Sequence, residues 1–173
     1  MSELILKLFS LGTIFLLFIF VLFISLELFK IRNPLKSFIK ANQMPLILIT
    51  SIGATFGSLL LSFYFKLAPC DLCWYQRIFL FPIPVIVLIA LIKKDLSARV
   101  YIFALSCVGL LIAGYHSILQ VQIFKKDSVF CNTASVVDCA TPDFVYYGFV
   151  TVPIISFCVF LVTLILSYPY EKK

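Results

Sequence analysis

The stretch APCDLCWYQR, residues 68–77, joins two long apolar runs and carries two cysteines and an arginine. Its cysteines, Cys70 and Cys73, are separated by two residues, and Arg77 follows Cys73 by four. Residues four apart lie on the same face of a helix, so Cys73 and Arg77 are expected to share one face of a helix that begins at about Trp74. The stretch therefore predicts two thiols and a fixed positive charge at the start of an apolar helix.

The composition indicates a membrane protein. Of the 173 residues, 62% are hydrophobic and 13% are charged, whereas a water-soluble domain carries about 25% charged residues. Five apolar runs are long enough to form transmembrane helices, which satisfy their own backbone hydrogen bonds in lipid; they span residues 8–26, 44–65, 74–92, 100–117 and 144–168. The predicted fold is an all-α membrane protein, with a four-helix transmembrane bundle over residues 44–173. One extra N-terminal transmembrane helix and a basic cytoplasmic loop precede it, over residues 1–43.

The first apolar run has a second interpretation, as a signal peptide. Its leading charges, Glu3 and Lys7, cancel, and no small-x-small cleavage site follows it. The run is also longer than the usual signal h-region of about 7–15 residues. A retained transmembrane helix is therefore the favoured interpretation.

The basic residues predict how the chain crosses the membrane. The net charge of +6 does not indicate a nucleic-acid-binding protein, because the basic residues form short clusters between the apolar runs. One set of connections, together with the C-terminal tail, carries nine basic residues, and the opposite face carries five. The positive-inside rule places the richer face in the cytoplasm. The N-terminus is then outside and the C-terminus cytoplasmic, and the four cysteines at positions 70, 73, 131 and 139 lie on the extracytoplasmic face.

The four outer cysteines form either static staples or redox pairs. Thiols outside the cytoplasm are expected to oxidise, which is consistent with both interpretations. The Cys70–Cys73 pair favours redox chemistry, because so short a loop removes little chain entropy when it is closed. A helix N-terminus also lowers the pKa of a nearby thiol, and the thiolate is the nucleophile in disulfide exchange. No metal site is expected, since the seven residues between Cys131 and Cys139 do not match the spacing of zinc ligands.

Two further residues are candidates for the site. Arginine costs roughly 2.5–3.5 kcal/mol at the centre of a membrane helix, so Arg77 is expected either to stabilise a thiolate or an anionic ligand such as a reduced quinone, or to snorkel to the headgroups. His116 is the single histidine and is expected near the outer end of the fourth run, at about the depth of Arg77. A packed, hydrogen-bonded histidine is the alternative. The segment ILQVQIFKKD that follows, residues 118–127, is expected to lie along the membrane surface.

The motifs PCDLCWYQR and YHSILQ resemble the disulfide bond formation protein B (DsbB) family, and most of all its Gram-positive-like (BdbC-like) branch. The resemblance covers about residues 44–168 and includes the order of the cysteines, with a CxxC first and a separated pair in the second outer loop. It implies a thiol:quinone oxidoreductase in the bacterial cytoplasmic (inner) membrane. Such an enzyme reoxidises an extracytoplasmic thioredoxin-like (DsbA-like) thiol oxidase and passes the electrons to ubiquinone or menaquinone.

The resemblance also implies roles for individual residues. Cys131 and Cys139 would take electrons from the partner, with Cys131 forming the mixed disulfide. Cys70 and Cys73 would receive them, and Cys73 would face the quinone, with Arg77 and His116 near its ring. Two features depart from the family: the extra leading helix, and the thiols of Cys107 and Cys158, which match no redox position and are expected to be buried and apolar.

Two rival functions stay open at this point. In quinone-coupled thiol enzymes of the vitamin K epoxide reductase type the loop cysteines precede the CxxC, whereas here they follow it. A non-enzymatic membrane protein with stapled outer loops is the second rival. It predicts that both outer disulfides are permanent.

Overall fold

The computed structural model describes residues 38–39, 41–120, 139 and 150–168. Regular structure in these residues is helical, and no β-strand occurs among them. The helices are α1 (Gln43–Phe63), α2 (Asp71–Leu80), α3 (Pro82–Lys93), α4 (Ala98–Gln120) and α5 (Val152–Ser167). The extra helix expected over residues 8–26, and most of the second outer loop, lie outside the described residues.

Three helical segments in the described part are long and apolar enough to cross a membrane. They are α1, α4, and the 23-residue segment Asp71–Lys93 that α2 and α3 form together. Helix α5 is apolar but has only 16 residues. The described residues therefore indicate a multi-pass membrane protein. The spans of the predicted bundle that they include are helical.

The segment that contains α2 and α3 is interrupted at Phe81. Pro82 and Pro84 stand in the first turn of α3, where proline is tolerated because its fixed φ suits the start of a helix. The N–H of Phe81 still donates to the carbonyl oxygen of Arg77 at 2.9 Å. The two prolines thus coincide with an interruption of the helix one turn beyond Arg77.

Three helix boundaries around the predicted redox cysteines differ from expectation. Helix α2 begins at Asp71 rather than Trp74, so that Cys70 is its N-cap and Cys73 lies in its first turn. Helix α4 continues to Gln120, which makes residues 118–120 helical and corrects their assignment to a surface-lying segment. Helix α5 begins at Val152, later than the expected start at residue 144, with Pro153 in its first turn.

The core of the bundle is densest between α4 and α5. Phe160 of α5 is fully buried and its ring lies against Gly109 of α4. The hydroxyls of Ser106 and Thr163 form a buried hydrogen bond of 3.0 Å between the two helices. The close approach at Gly109 holds together the two helices that carry His116 and one wall of the cleft described below.

We expect the substitution Gly109→Ala to destabilise the protein. A methyl group at this position would overlap the Phe160 ring, which is fully buried and has no free space into which to move. Overpacking of this kind costs about 1–3 kcal/mol, which would lower the midpoint of thermal unfolding by roughly 2–12 °C in a chain of this size. Thermal unfolding of the purified protein in detergent measures the effect.

Gly114→Ala is the matched control for this substitution. Gly114 is on the same helix as Gly109. Its added methyl group would lie 3.4 Å from the Phe157 ring, at the near limit of ordinary contact. Equal midpoints for the two variants would show that the contact between Gly109 and Phe160 does not limit stability.

Candidate redox site

Cys70 and Cys73 lie side by side at the start of α2. Their Sγ atoms are 3.3 Å apart, and both thiols are free. Cys70 is the N-cap of the helix, where backbone N–H groups favour negative charge. The pKa of Cys70 lies below its ordinary value, because the hydrogen bond with the Cys73 thiol, and next the contact with His116, stabilise the thiolate. Cys70 is therefore the cysteine that carries the negative charge in the dithiol state.

His116 reaches the pair from α4. Its Nε2 atom is 3.7 Å from Cys70 Sγ and 3.3 Å from the carbonyl oxygen of Cys139. Its Nδ1 atom is 3.0 Å from Nε2 of Gln76, and both side chains are buried. The histidine is hydrogen bonded, as the packed alternative predicts, but it is bonded within the redox site.

Cys139 packs against the same group of residues. It is disulfide-bonded and only 1% exposed, and it forms a small apolar cluster with Cys70, Leu72 and Leu119. Cys131, its expected partner, lies outside the described residues. The described geometry thus brings three of the four predicted redox cysteines to one place.

Arg77 points into the bundle. Its Nε donates to Ser58 Oγ at 2.9 Å, and its Nη2 donates to the Ser58 carbonyl oxygen at 3.1 Å and to Ser62 Oγ. The guanidinium carbon lies 5.3 Å from the centre of the Trp74 ring. These contacts argue against snorkelling, because the guanidinium donates to α1 rather than to headgroups.

An apolar cleft opens beside Cys73 and Arg77, between α1, α2 and α5. Its volume is about 860 Å³, part of which is open to the surroundings. Its polar wall consists of Ser58, Ser62, Cys73, Gln76, Arg77 and Ser156. His116 is not among the residues that line it; within the described chain, this histidine faces Cys70 on the other side of the pair. Of the predicted cofactor contacts, Cys73 and Arg77 thus line the cleft, whereas His116 does not.

Sequence reasoning missed three residues of this site. Gln76, which holds His116, was visible as a polar residue inside an apolar run. Ser58 and Ser62, which hold Arg77, are four residues apart and so lie on one face of α1. That spacing was a usable signal, but nothing in the sequence showed that this face turns toward Arg77.

The remaining described cysteines lie away from the site. Cys107 of α4 is partly buried and Cys158 of α5 is buried, and both are free. Cys158 is buried as expected, whereas Cys107, which was also expected to be buried, is only partly so.

Comparison with known proteins gives a consistent set of relatives. A family model described as "Disulfide bond formation protein DsbB" matches residues 40–168. The SPbeta prophage-derived disulfide bond formation protein B of Bacillus subtilis (strain 168) is 45% identical over 111 residues, which are 64% of this chain and 73% of the relative. A probable disulfide formation protein C 2 of Bacillus anthracis is 37% identical over 117 residues, 67% of this chain and 81% of the relative. A probable disulfide formation protein of Oceanobacillus iheyensis is 36% identical over 126 residues, 72% of this chain and 86% of the relative. No solved structure matches the chain.

Proposed function

We propose a mechanism for this chain that builds on its family. The chain is a BdbC-like member of the DsbB family, and hence a disulfide-forming membrane oxidoreductase. In our proposal it is a thiol:quinone oxidoreductase. It takes two electrons from the dithiol of a thioredoxin-like (DsbA-like) protein on the extracytoplasmic face and delivers them to a quinone of the surrounding membrane. The observation that carries the proposal is the cleft whose wall contains both Cys73 and Arg77.

The proposed electron path uses two disulfide exchanges. The partner's dithiol reduces the Cys131–Cys139 pair and becomes a disulfide. The Cys131–Cys139 dithiol then reduces the Cys70–Cys73 disulfide and is itself oxidised again. Each exchange moves two electrons and needs a thiolate that attacks a disulfide sulfur. The packing of Cys139 against Cys70 in one apolar cluster supports direct transfer between the two pairs.

His116 is proposed to act on Cys70. The side-chain amide N–H of Gln76 donates to Nδ1 of His116. Nδ1 therefore accepts, and the ring proton lies on Nε2. Nε2 is 3.7 Å from Cys70 Sγ, and its N–H stabilises the thiolate left after the second exchange. Contact between His116 and the quinone ring, which the family resemblance implies, stays a prediction.

The lining of the cleft suits a quinone headgroup. Binding pockets for small molecules combine apolar walls with a few polar groups, and this cleft has that composition. A quinone bound there accepts two electrons and two protons from the Cys70–Cys73 dithiol, which returns to the disulfide, and leaves as the quinol. Arg77 contributes a fixed positive charge, oriented by Ser58 and Ser62, next to the place where negative charge develops.

The proposal predicts quinone reduction by the purified protein. Full-length protein in detergent receives a reduced thioredoxin-like oxidase and a short-chain quinone, and quinone absorbance and free thiols are followed together. We expect catalytic loss of quinone, with one quinone consumed for each dithiol oxidised. Ubiquinone and menaquinone analogues are compared, because the cleft does not distinguish them.

A lack of quinone loss would contradict the proposal. The test requires folded protein, both quinone analogues and more than one thiol donor. Such a result would favour the stapled-loop alternative.

A further inference from the structure

We propose that Cys70, Cys73 and His116 form a site for a soft divalent cation such as Zn²⁺ when the two cysteines are reduced. The two Sγ atoms and a ring nitrogen of His116 all lie within 4.8 Å of one another. Thiolate sulfur and imidazole nitrogen are the ligands that zinc prefers in proteins. The sequence did not predict this site, because His116 is 43 positions from Cys73 in the chain.

The distances fit tetrahedral coordination. With Zn–S bonds of about 2.3 Å and a Zn–N bond of about 2.05 Å, two sulfurs are about 3.8 Å apart and a sulfur and a nitrogen about 3.6 Å. The observed separations are 3.3 Å between the sulfurs and 3.7 Å between Cys70 Sγ and His116 Nε2. A rotation of one cysteine side chain that opens the sulfurs by about 0.5 Å brings their separation to the tetrahedral value, and the remaining pair, Cys73 Sγ and the ring nitrogen of His116, already lies within 4.8 Å.

Gln76 gives the histidine the second-sphere partner that a metal ligand needs. A histidine that binds a metal through Nε2 carries its proton on Nδ1 and donates it to an oxygen. The side-chain amide of Gln76 lies 3.0 Å from Nδ1 and has an oxygen at its other end. Turning this amide over presents the oxygen to Nδ1 and leaves the lone pair of Nε2 free for the cation.

Binding changes protonation but not oxidation state. The cation takes the place of the proton that the reduced pair still carries, which passes to solvent, and no electrons move. Because the disulfide form of the pair offers no thiolates, only the dithiol form binds. Three protein ligands leave the fourth coordination position to water. Binding of the cation does not depend on the proposed quinone chemistry. With that chemistry, the bound cation would keep the enzyme in its reduced state.

Cobalt(II) is the probe that tests this site. Full-length protein carrying Cys131→Ala and Cys139→Ala, so that loop thiols do not compete, is reduced, freed of reductant and titrated with Co²⁺ under anaerobic conditions. Wild-type protein is titrated in parallel. We expect thiolate-to-cobalt charge-transfer absorption that saturates at one equivalent and is displaced by Zn²⁺. The oxidised protein and a Cys73→Ser variant should lack this saturable signal, whereas Cys107→Ala should keep it.

Two variants separate a three-ligand site from binding by the CxxC alone. His116→Ala is expected to weaken Co²⁺ and Zn²⁺ binding at least 10-fold, and Gln76→Glu to strengthen it, since a carboxylate is a better acceptor for Nδ1–H. The opposite directions exclude a general loss of folding as the cause. The inference is overturned if no saturable absorption appears in the reduced protein, or if neither variant changes the affinity. Because the readout is absorption, these outcomes are independent of quinone turnover.

Discussion

Replacing Cys73 with serine is expected to abolish quinone reduction and leave the protein folded. A serine hydroxyl forms no disulfide with Cys70, so the CxxC cannot accept the electron pair. The rate should fall to that of the reaction without enzyme. The substitution exchanges one atom at a partly exposed position, and we expect the thermal midpoint to stay within about 2 °C of the wild type.

Cys107→Ser is the control for loss of a thiol. Cys107 is also free and partly buried, and it lies on α4 away from the cleft. Its variant should turn over at the wild-type rate. Residual catalytic turnover in Cys73→Ser would remove Cys73 from the electron path, and a large loss of stability without Cys73 would instead indicate a structural role for the pair.

Arg77→Ala is expected to act on the quinone side of the reaction alone. A hydrogen bond to a charged group contributes about 1.5–3 kcal/mol, so kcat/KM for the quinone should fall roughly 10- to 100-fold. The value of kcat/KM for the thiol partner should change little, because Cys139 packs against Cys70 and is not among the residues that line the cleft with Arg77. Steady-state kinetics with each substrate varied in turn measure both values.

Two matched variants test how Arg77 is held. Ser58→Ala and Ser62→Ala each remove a side-chain partner and keep the positive charge, so their losses should be smaller than that of Arg77→Ala. Arg77→Lys keeps the charge without the planar fork that reaches both serines, and it should restore only part of the activity. Equal losses of kcat/KM for both substrates in Arg77→Ala would point to a general structural role for the arginine.

The helices were predictable because lipid restricts what an apolar run can become. The spans around residues 44–65 and 74–92 are helical as expected, and the prolines at 82 and 84 mark the interruption of the second. The ends were less predictable. Helix α2 includes Asp71 and Leu72, since a cysteine N-cap and an acidic residue in the first turn start the helix earlier than hydropathy alone suggests.

The site was predictable in its residues but not in its arrangement. The CxxC, Arg77 and His116 stood out as polar or reactive groups in apolar surroundings. Whether His116 faces the CxxC, and whether the serines of α1 face Arg77, depends on how α4 and α1 are rotated about their axes. That rotation is set by packing such as the fit of Phe160 against Gly109, which a single sequence does not reveal. Gln76, Ser58 and Ser62 became site residues only through this rotation.

The shortness of α5 has a consequence for the lipid around the protein. Sixteen residues at 1.5 Å each span about 24 Å, whereas the hydrocarbon core of a bilayer measures about 30 Å. The acyl chains next to α5 therefore meet a hydrophobic mismatch that those next to α4 do not, and local thinning relieves it. Since α5 forms one wall of the cleft, we expect the bilayer to be thinned beside the site at which the proposed quinone binds. The acyl-chain length of the lipids is then expected to affect access to the Cys73 thiol as well as the match between the protein and the bilayer thickness.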